Sequence, residues 1–169
     1  TYEWGNVINS LSKIAIYTDA SFHKETQLSV LGFAYVRDDT ALLSNEDLNL
    51  IERKSLNNIR AEIESLLNAF EKCPVTSEVT VYTDCSTICG LIDRRARLEK
   101  NSFVSNAKGT ELKNADLYRE FYKYYDQLEP KLIWVKGHMA KNKQSLINRN
   151  FSLLDRAVRL RLRQLTKWR

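Results

Sequence analysis

Lys13-Ile14-Ala15-Ile16-Tyr17-Thr18-Asp19-Ala20-Ser21-Phe22 is the stretch on which the reading of this chain turns. From Lys13 to Ile16 the side chains follow the two-residue period of a strand, and the segment then delivers a carboxylate, Asp19, where that strand is expected to run out. The same arrangement returns later. Glu78-Val79-Thr80-Val81 has the strand period, and Tyr82-Thr83-Asp84-Cys85 ends it on Asp84. In open α/β sheets the crevice beyond the strand ends is where ligands bind, so two aspartates in matching positions point to one shared site.

Working outward, the pattern predicts strands over 13–19 and 29–37, a weaker one within 41–54, and further strands over 78–84 and 131–136. Helices are predicted over 57–72, 85–98, 115–128 and 149–165. Three early strands without helices between them imply an antiparallel meander, and the later strand–helix alternation implies parallel additions. The expected fold class is therefore α/β, a central mixed five-stranded sheet flanked by helices. Residues 1–12 are read as an N-terminal extension and 141–150 as an inserted polar loop, within a single domain spanning 1–169.

Two more carboxylates lie on helices. Ile59, Ile63, Leu66, Leu67 and Phe70 recur at helical spacing, with Glu62 at the edge of their stripe; Asp155 holds the same place beside Phe151, Leu154, Val158, Leu162 and Leu165. A stripe edge lets a carboxylate look into a cleft while its helix stays docked. Each acid also has an ordinary reading. An Asp after a strand is commonly a turn former or helix cap, and Glu62 alone would be a solvated residue favoured by the helix dipole. Asp155 could equally pair with Arg159 one turn on. The four together outweigh these for Asp19, Glu62 and Asp84, and leave Asp155 open between cleft and ion pair.

At 169 residues and 43% hydrophobic, the chain suffices for one well-buried domain. No apolar run approaches the ~20 residues that span a bilayer, and no secretory leader is visible, so an intracellular, cytoplasmic protein with no membrane partner is expected. Cys73, Cys85 and Cys89 lack paired CxxC spacing and are read as buried thiols in a reducing compartment. Charge is uneven. From Lys141 onward nine Lys/Arg face one acid, a net +8, against −3 for the remainder, which marks the C-terminal helix as a surface for phosphates, with Arg159, Arg161 and Arg163 as candidate contacts. Arg94 and Arg95 belong to a second basic run.

These residues carry a resemblance to the type 1 ribonuclease H family. It rests on YTDAS at 17–21, NNIRAE at 57–62, VTVYTD at 79–84, LKNADLY at 112–118, IWVKGH at 133–138 and LDRAVR at 154–159, in the family's order over roughly residues 13 to 165. The resemblance implies an endonuclease that hydrolyses the RNA strand of RNA–DNA hybrids with two Mg²⁺, Mn²⁺ substituting. Asp19 would bridge both ions, Glu62 and Asp84 would complete one site, and Asp155 would hold the other. His138 would assist proton transfer or product release. Oxygen donors suit such hard cations, and ions held about 3.5–4 Å apart serve an in-line displacement at phosphorus. The implied partner is a hybrid, bound by a monomer unless the chain is part of a polyprotein.

The chain also departs from the family. Ala20 stands for the usual Gly, and a hairpin with Gly32 alone replaces a glycine-rich one. Ile59 and Ser86 stand for an Asn and a Gln that read the hybrid's minor groove. Ala20, Ser21, Asn57, Asn58 and Ser86 are the expected substitutes. The seventeen-residue step from His138 to Asp155 is longer than usual. Three alternatives follow: the ribonuclease H domain of a reverse transcriptase, another nuclease of the same fold, and a silent nucleic-acid-binding module.

Overall fold

A computed structural model describes residues 12–37, 41–73, 77–136 and 145–167. Five strands, β1 Lys13–His23, β2 Leu28–Val36, β3 Asn49–Lys54, β4 Glu78–Thr83 and β5 Lys131–Trp134, form one sheet in the order β3-β2-β1-β4-β5. The first three pair antiparallel, and β4 and β5 add in parallel. Around them lie α1 Asn58–Glu71, α2 Ser86–Lys100, α3 Ala115–Leu128 and α4 Leu146–Thr166. The mixed five-stranded α/β architecture expected from the sequence is the one observed.

The pleat of β1 divides the interior into two layers. Ile16 points to one face, where Phe33, Val79 and Val81 meet Ile63, Leu66 and Phe70 of α1, Ile88 and Leu91 of α2, and Phe121 of α3. Ala15 and Tyr17 point to the other, where Val30, Ala34 and Tyr82 meet Phe151, Leu154, Val158 and Leu162 of α4. Burying each of Phe151, Leu154, Val158 and Leu162 contributes roughly 1.5–3 kcal/mol, which docks α4 through one apolar stripe. Close approach there depends on Gly32. A Cβ at this position would sit 2.5 Å from Val158 Cγ1 and 2.8 Å from Leu154 Cδ1. The missing side chain of Gly32 thus admits the C-terminal helix.

Several boundaries differ from those the sequence predicts. β1 does not end at Asp19. It continues to His23 because its antiparallel pairing with β2 runs on to His23 opposite Leu28, past the end of the simple apolar alternation. β5 stops at Trp134, although the Val135 N–H still reaches the Thr83 carbonyl at 2.8 Å. The last part of the segment expected to be a polar loop is helical: Ser145 caps α4 by accepting from the Asn148 N–H, so residues 146–150 belong to the helix. Ile59, placed on the buried stripe of α1, is 38% exposed. All three cysteines are free thiols, but only Cys73 is buried. Residues 1–11 and 141–144, within the expected extension and loop, lie outside the described residues.

Candidate metal centre

Sheet register brings the two aspartates together. Parallel pairing of β1 with β4 stops at Tyr17 opposite Tyr82. Asp19 and Asp84, each two residues further along its own chain, therefore stand level just beyond the shared edge. There β1 continues and β4 has ended, so a crevice opens beside Asp19. Thr18, on the opposite face of β1, donates to Ser65 Oγ at 3.0 Å, and Ser65 donates to the Gly32 carbonyl at 2.8 Å. That buried chain of bonds ties β1, β2 and α1 together one residue from Asp19. It also fixes the rotation of α1, so that Glu62, one turn before Ser65 on the same helix, is turned inward.

The outcome is a compact acidic set. One carboxylate oxygen from each of Asp19, Glu62 and Asp84 lies within 4.8 Å of the others. Asp19 is 2% exposed and Glu62 6%, while Asp84 opens to solvent. Burial, then the charges of Glu62 and Asp84 and the approach of Asp155 within reach for sharing a proton, hold Asp19 well above the usual carboxylate range. Burial and the charge of Asp84 push Glu62 up to about 8, against a side-chain hydrogen bond with Asp19 and the N–H of Ala20, which donates toward it. Asp19 Oδ2 and Glu62 Oε2 are buried without any hydrogen-bond partner. Buried oxygens of one sign at this spacing are costly unless a cation joins them. Divalent ions of the Mg²⁺ class accept this donor set.

Asp155 occupies a different position. It is 20% exposed and forms an ion pair with Arg159 one turn further along α4, while still standing next to Asp19. The two readings of this residue, cleft and ion pair, are both realised. Arg159 in turn feels the charges of Asp19 and Asp84. His138 lies outside the described residues.

The candidate substrate contacts divide. Ala20 is buried against Leu31 and Ala61, so only its backbone faces the site. Asn57 caps α1, its Oδ1 accepting the Arg60 N–H at 2.7 Å, which takes up the acceptor expected to meet substrate. Ser21 is half-buried, and Asn58 and Ser86 are exposed at the starts of their helices. Arg94 lies over the Tyr118 ring, and Arg95 is held by Glu99 and Asp126. On α4, Arg161 pairs with Glu52, whereas Arg163 has no acidic partner among the described residues. His23 is the last residue of β1, its ring nitrogen 2.8 Å from Thr26 Oγ1 in the turn that follows. One group went unnoticed in the sequence: the Trp134 indole N–H donates to the Asp84 carbonyl at 3.1 Å and steadies the turn that presents that carboxylate. Nothing in the pattern of β5 marks that reach across to the end of β4.

A mixed five-stranded sheet of this order, with acids at the end of its central pair, defines the class of α/β fold to which the chain belongs. The chain belongs to the RNase H family, whose model matches residues 12–150 and so ends before Asp155. Among solved structures it is similar to the solution structure of the PFV RNase H domain, with a TM-score of 0.69 and 18% identity over 90% of this chain and 95% of that one. The foamy viral protease-reverse transcriptase in complex with RNA/DNA hybrid matches with a TM-score of 0.69 and 16% identity, over 88% of this chain and 20% of that one. The same viral protein in complex with dsDNA matches with a TM-score of 0.64 and 17% identity, over 90% and 96%. At these identities the likeness is one of fold. No curated protein sequence matches the chain. Among the described residues no helix is long and apolar enough to cross a membrane.

Proposed function

We propose that this chain is an endonuclease that hydrolyses the RNA strand of RNA–DNA hybrids with two divalent metal ions. The observation that carries the reading is the trio of Asp19, Glu62 and Asp84, drawn from three elements onto one point, with buried oxygens on Asp19 and Glu62 that have no partner. Asp19, Glu62 and Asp84 would hold one ion, and Asp19 with Asp155 the other; Mg²⁺ is the expected metal and Mn²⁺ its substitute, in keeping with the family's general dependence on divalent cations. When bound, such ions activate the attacking water and offset charge on the leaving oxygen.

The remaining work falls to the protein. Asp19 and Glu62, once ionised, fix negative charge in a place that only a cation can neutralise, so the site is set before substrate arrives. Trp134 and the end of β4 hold the Asp84 backbone in place. His138, following β5, would move a proton or ease product away. Ser21, Asn58 and Ser86 are the exposed or half-exposed polar groups near the acids that would meet a sugar or base edge, and Arg163 a phosphate. We read residues 1–169 as a single domain. A second reading, the ribonuclease H domain of a reverse transcriptase, is favoured by the foamy viral likeness, in which this chain spans 20% of one matched polypeptide.

Cleavage of an end-labelled hybrid beside duplex RNA and duplex DNA, with and without Mg²⁺, tests the proposal. RNA fragments from the hybrid alone, and only with metal, are expected. Cutting of either duplex in preference to the hybrid would reassign the substrate. A folded protein that bound hybrid and cut none of the three would be a silent binding module.

A further inference from the structure

The four acids are unequal in what they still need. Asp19 Oδ2 and Glu62 Oε2 are buried with no partner, and Asp84 completes their cluster. Asp155 is outside that cluster and already has a cation, the guanidinium of Arg159. The pair lies on one face of α4 at i and i+4, the spacing at which helical side chains meet, and α4 is held in place by Leu154, Val158 and Leu162 against the sheet. Arg159 itself is 52% exposed and packs in no core. Removing it therefore leaves the fold intact and changes only the charge beside the acids.

We propose that Arg159 is a positioning residue that competes with the second metal ion for Asp155, so that the free protein binds one divalent ion well and a second one weakly. The inference rests on the proposed two-metal reading. Its physical basis is that a cation entering between Asp19 and Asp155 must share Asp155 with a fixed positive charge or displace it. A like charge a few ångströms away opposes the newcomer, though solvent around Arg159 screens the effect. The first ion, among Asp19, Glu62 and Asp84, is spared most of this opposition because Arg159 bonds none of those three.

The test is a calorimetric titration with Mg²⁺, repeated with Mn²⁺ followed by its paramagnetic resonance, in the absence of nucleic acid. It compares the natural protein with Arg159→Gln, Arg159→Lys, Asp155→Asn and the double variant Asp155→Asn/Arg159→Gln. The first ion should bind alike in all five. The second should bind about tenfold more tightly in Arg159→Gln, a difference of about 1.4 kcal/mol, while Arg159→Lys stays close to the natural protein. In Asp155→Asn the second ion should be lost, and Arg159→Gln should then have no further effect. An unchanged or weakened second ion in Arg159→Gln overturns the proposal, weakening being the mark of an arginine that merely orients Asp155. A second ion indifferent to Asp155→Asn also overturns it, yet leaves the first site and the nuclease reading standing. Failure of the natural protein to bind any ion would instead strike at the two-metal reading itself.

Discussion

The trio at the end of β1 and β4 and the single acid on α4 reach one cleft by different routes. Asp19 and Asp84 are set level by the hydrogen-bond register of two parallel strands, and Glu62 is turned inward by a helix tied to those strands through Ser65. Asp155 depends on the docking of α4, which packs closely over Gly32 and is tied down by side-chain bonds, the buried Asn150 amide donating to Tyr17 and the Ala41 carbonyl and accepting from the Leu43 N–H. The difference has an electrostatic counterpart: Asp19 and Glu62 are buried with carboxylate oxygens that have no partner, whereas Asp155 is partly exposed and already paired. Geometry fixed by backbone bonds tolerates an unsatisfied charge that a surface helix would relieve by local pairing.

The largest expected effect comes from the trio. Asp19→Asn should cut turnover on a hybrid by a thousandfold or more, on the order of 4 kcal/mol of barrier, with the fold and much of the hybrid binding retained. Steady-state cleavage beside circular dichroism checks both halves. Near-normal activity would remove Asp19 from the site.

Next comes a pH effect confined to the metal-free protein. Glu62 ionises near its ordinary 4.5 in the unfolded chain but at about 8 in the folded one, so between these values the folded state carries the extra proton. Stability is therefore full below about pH 4.5 and is lost as pH rises toward 8, at up to about 1.4 kcal/mol per pH unit, with Asp19 contributing in the same sense. Glu62→Gln should flatten that decline in denaturant titrations taken from pH 5 to 9, and be the more stable protein at pH 8. Added Mg²⁺ should restore the natural protein and do little for the variant. An identical pH dependence for the two would mean that Glu62 ionises freely.

Gly32→Ala probes the other region. The added methyl meets Val158 and Leu154 inside normal contact distance and should cost about 1–3 kcal/mol in chemical denaturation, while pushing α4, and Asp155 with it, outward. Binding of a first metal ion should survive. If the first ion is lost along with stability, the trio leans on α4 more than its register implies.

The smallest effect is on α4's surface. Arg163→Gln should lower the slope of log affinity against log salt by about one unit for a cleavage-inactive protein on hybrid, whereas Arg161→Gln, already occupied by Glu52, should change it less. Equal slopes for both would return Arg163 to ordinary solvated surface.

How much of this could be read beforehand follows the same division. The order of strands, the helices and the trio were legible, because apolar periodicity and a repeated Tyr-Thr-Asp are local signals and the resemblance adds their order. The continuation of β1 past Asp19 was not, since it is decided by pairing with β2 and not by the side chains of residues 20–23. The start of α4 was hidden inside a polar stretch, where Ser145 and Asn148 read as loop until seen as a cap. The cap at Asn57 was hidden for the same reason: one side chain can cap a helix or meet a ligand, and only the fold shows that its Oδ1 caps α1. Arg161 and Arg95 look like phosphate contacts in a basic run, yet the fold pairs Arg161 with Glu52 and Arg95 with Asp126, partners far away in sequence, and Arg95 also with Glu99 one turn on. Gly32 was noticed, yet its purpose depends on a helix more than a hundred residues later.

The most direct measurement of the central claim is cleavage of one end-labelled RNA–DNA hybrid in Mg²⁺ by the natural protein, Asp19→Asn and Asp155→Asn side by side, with fragments mapped on each strand. The account predicts cuts in the RNA strand alone, a graded loss in Asp155→Asn and near-complete loss in Asp19→Asn. Cuts in the DNA strand, or an Asp19→Asn protein as active as the natural one, would contradict it.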